Sequence, residues 1–161
     1  ASLPARSRRS QISEVLSLLS KTKAAGASEI SASLVQIGAM LRHRSLLMIF
    51  SDLLAEPAAI RDAMLRLRHR NHDIILFHVL DEAEVRFPFQ GMVELTDPES
   101  SQSMVVDADA ARSDYVTGVE EFRDHYRQIC QQAGIDYVPL DTSMPFDAAL
   151  MEYLINRQQR A

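Results

Sequence analysis

Ser45-Leu46-Leu47-Met48-Ile49-Phe50-Ser51-Asp52 is the most informative stretch of the chain. Apolar side chains run unbroken from Leu46 to Phe50, with no polar residue between them. A strand that buries one face alternates; an unbroken run predicts a strand covered on both faces, as in parallel sheets. Pro57 suits the first turn of a following helix, with Ile60, Met64 and Leu67 as its buried stripe. Asp73 to Leu80 repeats the apolar strand pattern, so strand, helix and strand predict a right-handed crossover between parallel neighbours.

Upstream, Ala1 to Arg9 lacks periodicity and reads as a disordered or extended lead-in. Ile12, Val15, Leu16 and Leu19 then share one helical face, with Ser10 as the expected N-cap. Ser28 is the expected cap of a second helix with the stripe Ile30, Leu34, Ile37 and Leu41. Downstream, Val85-Arg86-Phe87-Pro88-Phe89 reads as an edge strand interrupted by Pro88. Met92 to Thr96 and Ser103 to Val106 flank a turn and predict an antiparallel hairpin. Asp107 then caps a long helix with Tyr115, Val119, Phe122, Tyr126, Ile129 and Ala133 inward, stopped by Gly134. Ile135 to Asp141 reads as a third parallel strand, placed at an edge by Pro139, and Pro145 opens a last helix with Phe146, Leu150 and Leu154 inward. The fold class expected is α/β, a mainly parallel sheet with an inserted antiparallel hairpin.

Composition narrows the function classes. With 161 residues the chain suits one domain, and 47% hydrophobic with 24% charged residues disfavours disorder. No apolar run approaches the ~20 residues that span a bilayer, so no membrane contact and a cytoplasmic location are expected. One cysteine excludes an internal disulfide framework, and a net charge of -5 argues against nucleic-acid binding.

Ligand crevices of open parallel sheets lie at the carboxyl ends of the strands. Asp52, Asp81 and Asp141 each end an expected strand, Ser51 adjoins Asp52, and Ser28 opens the helix that leads to the first strand. Carboxylates and hydroxyls in that position suit a hard cation such as Mg²⁺; equally, Asp at a strand end is a turn former or cap. Cys130 lies on the apolar stripe of the long helix and reads as a small hydrophobe, and His78, inside a strand, as a core histidine. His69 and His72 read as a solvated cluster at a helix end, and Arg61, Arg66, Arg68 and Arg70 as a solvated face. Nucleotide-loop, nucleophile-elbow and zinc-protease motifs are absent.

Gly26-Ala27-Ser28-Glu29-Ile30, followed by Arg44 to Leu54, resembles the second half of a von Willebrand factor A-like domain. More specifically it resembles the uncharacterised bacterial family encoded beside MoxR-type AAA ATPases. His78-Val79-Leu80-Asp81, Phe87-Pro88-Phe89 and Ala133-Gly134-Ile135-Asp136-Tyr137 agree in order and spacing.

The resemblance implies a Rossmann-like three-layer fold, residues 10–158 forming its C-terminal portion with the first strands missing. It also implies an adhesion-type metal site built from a D-x-S-x-S loop, a Thr and an Asp. Asp52 matches that Asp and Ser28 stands at the Thr position, while D-x-S-x-S is absent and would belong upstream of Ala1. Leu53 follows Asp52 where von Willebrand A domains commonly carry Gly. Two oxygen ligands do not hold Mg²⁺, so no ion is expected in this chain, although Mg²⁺ fits the intact parent domain.

The function expected is a non-catalytic protein-interaction domain, partner of a MoxR-type ATPase in complex maturation. The alternative is a metal-assisted hydrolase using Asp52, Asp81 and Asp141. An unpaired edge at Ser45 to Asp52 also predicts a homo-oligomer.

Overall fold

The structure is a computed structural model that describes residues 3, 8–22, 29–97, 101–145, 147, 150, 151 and 153–155. Ser28 and Phe146 lie outside the described residues. Helices α1 (Ser10–Lys21) and α2 (Ile30–Met40) precede β1 (Leu46–Ser51), α3 (Pro57–His69) and β2 (Asp73–Leu80). A short α4 (Glu82–Arg86), the strands β3 (Met92–Thr96) and β4 (Ser103–Asp107), α5 (Ala108–Ala133) and β5 (Asp136–Asp141) follow. Residues 147, 150, 151 and 153–155 are helical.

The sheet has the order β1-β2-β5, all parallel, and β3 with β4 forms a separate antiparallel pair. The fold is therefore mixed α/β with a mainly parallel sheet, as its apolar runs predict. Leu46 pairs with Asp73 and Ser51 with His78, so β1 and β2 end level. Pro139 sits in the outer strand β5, where a missing N–H is tolerated.

One sheet face carries the main core. Leu47 and Ile49 of β1, with Ile74 and Leu76 of β2, meet Leu34 of α2, Ile60, Met64 and Leu67 of α3, and Tyr126 and Ile129 of α5. Gly38 of α2 permits close approach: a Cβ there would lie 2.9 Å from Leu67 Cδ2. Arg70 reaches back from the end of α3 to the carbonyls of Gly38 and Leu41, satisfying acceptors that a helix end leaves open. The opposite face gathers Ile75, Phe77 and Leu140 under Leu150 and Tyr153.

Several expectations are corrected. β1 is not covered on both faces: Leu47 is buried, whereas Leu46, Met48 and Phe50 are 53%, 48% and 52% exposed. The apolar stripe of α1 is exposed too, Ile12 at 67% and Leu19 at 64%. Ile37 of α2 points outward and Gly38 takes the inward position. The segment expected as an edge strand around Val85 is α4 instead. Asp81 accepts the Ala83 N–H while Glu84 accepts the Asp81 N–H, a reciprocal cap that starts a helix, and Phe87 ends it with φ 45°. In the C-terminal helical residues Leu154 is exposed and Tyr153 turns inward, its ring edge-on to Phe77.

Asp107 caps α5 by accepting from the Asp109 and Ala110 N–H groups, and Gly134 closes it at φ 64°. At 26 residues α5 spans about 39 Å, longer than the sheet beneath it. Its first half therefore overhangs, and Tyr115 there meets Phe87 at 4.5 Å between ring centroids.

Candidate functional site

The carboxyl ends of β1, β2 and β5 bring Asp52, Asp81 and Asp141 to one edge of the sheet. Their side chains are engaged locally. Asp81 Oδ1 accepts the Ala83 N–H at 2.9 Å and Oδ2 accepts the Thr142 hydroxyl at 2.9 Å. Thr142 Oγ1 in turn accepts the Glu82 N–H, tying the start of α4 to the end of β5. Asp141 accepts the Ser143 hydroxyl and, at 2.9 Å, the Ser143 N–H; these bonds hold its carboxyl below the usual range. Asp52 Oδ1 accepts the Leu54 N–H at 3.3 Å, and Ser51 Oγ accepts the Leu53 N–H at 3.0 Å. Among the described residues no three His, Cys, Asp or Glu side chains are grouped to hold a metal ion.

The loop after β1 is built from beneath by residues that the sequence places in the core. His78 Nε2 donates to the Asp52 carbonyl at 3.1 Å. A carbonyl only accepts, so Nε2 carries the proton and Nδ1 accepts the Tyr137 hydroxyl at 2.8 Å. Burial is the main cause that lowers the His78 pKa to about 4, so the ring is neutral. Phe122, Tyr126 and Tyr137 meet the ring edge-on. Tyr126 Oη donates to the Leu53 carbonyl at 3.4 Å.

Leu53 occupies the left-handed region at φ 59° and is fully buried. An L-residue there is strained by roughly 1–2 kcal/mol, which its apolar burial offsets. The anchored Leu53 leaves Asp52 and Leu54 on the surface, Leu54 at 69% exposure. Sequence reading identifies His78 as a core histidine but misses its grip on this loop. Its partners stand 26 and 59 residues away, and no local spacing signals them.

The other candidates resolve into structural roles. Cys130 is fully buried, and burial pushes its thiol up to about 12, far from a nucleophile's range. His72 is not part of a solvated cluster: it is 2% exposed and its Nδ1 accepts the Ser45 N–H. Arg61, Arg66 and Arg70 are exposed as the solvated face requires, Arg70 while reaching the end of α2; Arg68 is half-buried against the His72 carbonyl and Asp73, and of the histidine pair His69 is exposed.

A family model described as Protein of unknown function DUF58 matches residues 1–125. The chain belongs to this family. No curated protein and no solved structure matches it. In this DUF58 chain the matched segment runs from the N-terminus into α5 and includes β1, β2 and the loop that His78 holds.

Of the residues the von Willebrand A resemblance assigns to a metal, Asp52 is described and Ser28 lies outside the described residues; the Ser51 hydroxyl beside Asp52 accepts the Leu53 N–H. No helix among the described residues is long and apolar enough to cross a membrane.

Proposed function

We propose that the chain is a non-catalytic protein-interaction domain of von Willebrand factor A-like type, and that it engages a MoxR-type AAA ATPase in the cytoplasm. The observation that carries this reading is the loop Asp52-Leu53-Leu54, gripped from inside by His78 and Tyr126 and projecting an acid and an exposed leucine outward. A rigid, shallow, mixed acid–apolar surface suits recognition of another protein. A left-handed Leu53, at the position where von Willebrand A domains commonly carry glycine, supports the kinship.

The hydrolase alternative needs converging acids with perturbed titration. Asp81 and Asp141 are instead committed to a helix cap and a turn, which weighs against it.

Binding of a purified MoxR-type ATPase, measured by calorimetry, tests the proposal. Saturable binding is expected, weakened about tenfold by Leu54→Glu, the size of effect of losing one well-placed apolar contact. Absence of binding contradicts it. So does turnover of phosphoesters or esters that Asp52→Ala abolishes without unfolding the chain.

A further inference from the structure

The carboxyl halves of α2 and α3, which lead into β1 and β2, border a groove of about 470 Å³. It lies toward the starts of these strands, away from the loop that His78 holds at the end of β1. No strand residue lines it, so its outline is set by two described helices and not by what flanks β1. Gly38 lets the helices approach at Leu67, while the short side chains of Ala39 and Ala63 leave space beside that contact unfilled. Leu34 and Leu67, both buried, supply an apolar floor.

The α3 wall is cationic. Arg66, His69 and Arg70 stand three and four residues apart and share one helix face. All three are exposed, and among the described residues Arg66 and His69 have no hydrogen bond or ion pair. Arg70 donates to the Gly38 and Leu41 carbonyls, which fixes its guanidinium at the groove and leaves further N–H donors over.

Positive groups gathered on one wall, in a chain of net charge -5, point to an anionic occupant. Residues 1–9, 23–28 and 156–161 contain Arg or Lys and no acid, so none of these segments supplies it. Small-molecule sites are concave, about 300–1,000 Å³, and mainly apolar with a few placed polar groups; this groove has that size and lining. A protein partner would cover about 800 Å² of surface, whereas from Ala63 to Arg70 the groove runs only about 10 Å.

We propose that the α2–α3 groove binds an alkyl carboxylate, its chain over Leu34 and Leu67 and its carboxylate against Arg66, His69 and Arg70. The site does not depend on the ATPase reading, which uses the loop after β1.

Amide NMR of the full chain tests it, with decanoate below its micelle concentration as the probe. Saturable shifts are expected at residues 34–39 and 63–70. Acetate, the head without the tail, and decyltrimethylammonium, the tail with the opposite charge, are expected to leave these amides unmoved. Arg66→Glu weakens decanoate binding about tenfold by trading attraction for repulsion. Ala39→Phe, which fills the groove from an exposed position, abolishes it, and both variants keep the circular dichroism of the wild type. Decanoate shifts that are absent, or that fall outside these two helices, overturn the proposal. Equal binding of the ammonium compound, or decanoate binding indifferent to Arg66→Glu, overturns it by leaving an apolar hollow without charge selection. A Glu- and Leu-rich peptide that displaces decanoate at lower concentration also overturns it, by making the groove a protein-docking site.

Discussion

His78 Nε2 lies 3.1 Å from the carbonyl oxygen of Asp52 and holds the loop after β1 to the neighbouring strand. The geometry requires a neutral ring that donates at Nε2 and accepts at Nδ1, and burial supplies it by lowering the pKa from 6.5 to about 4. A folded pKa below the unfolded one means that the unfolded chain binds the extra proton between those values. Stability from this residue is full above about pH 6.5 and drains away as pH falls toward 4, at up to about 1.4 kcal/mol per pH unit. Urea titrations across that window are expected to show the decline. In His78→Phe, which cannot titrate, the slope is shallower.

Leu53 makes an unusual ordering of variants testable. Its side chain is fully buried, so truncation costs about 2–5 kcal/mol. Its φ of 59° penalises any residue with a Cβ, a strain that glycine escapes. Leu53→Gly is therefore expected to be less destabilising than Leu53→Ala, by about 1 kcal/mol. Equilibrium unfolding of the two variants measures it, and the reverse order would mean that the loop does not hold this conformation.

Gly38 sits where α2 crosses α3, and Leu67, its neighbour there, is itself 2% exposed. Gly38→Ala gains helix propensity of about 1 kcal/mol against a small shift of the Leu67 methyl, leaving a near-neutral change. Gly38→Val adds bulk that this contact cannot absorb and is expected to cost about 2 kcal/mol. Thermal melts of both variants distinguish an intimate helix contact from a loose one.

Asp81 joins two elements through one carboxylate, capping α4 and accepting from Thr142. Asp81→Ala is expected to cost about 1 kcal/mol, in the usual range for a lost cap. Combined with Thr142→Val, the loss is smaller than the sum of the single losses, because the two share an interaction. A metal-binding role would instead appear as a Mg²⁺-dependent rise in melting temperature that Asp81→Ala removes; none is expected.

The unbroken apolar run from Leu46 to Phe50 is legible as a parallel strand because strand pairing needs only what a segment carries locally. Its exposed face is not legible, since cover depends on elements far away in the chain. The same limit applies to α1, whose stripe from Ile12 to Leu19 has the spacing of a buried face and is exposed. Around Val85 the β-branched and aromatic residues mislead, while the pattern Asp81-Glu82-Ala83-Glu84 carries the helix-start signal that outweighs them. Asp52 is visible as a strand-end acid. The interior grip on its loop is not, because His78, Tyr126 and Tyr137 converge only through the tertiary fold.

Hydrogen exchange of the full chain, alone and mixed with a MoxR-type ATPase, tests the interaction reading most directly. Slowed exchange at the Leu53 and Leu54 amides, with the amides of β5 unchanged, is the predicted result. Unaltered exchange across residues 52–54, or protection that falls on β5 instead, would contradict it.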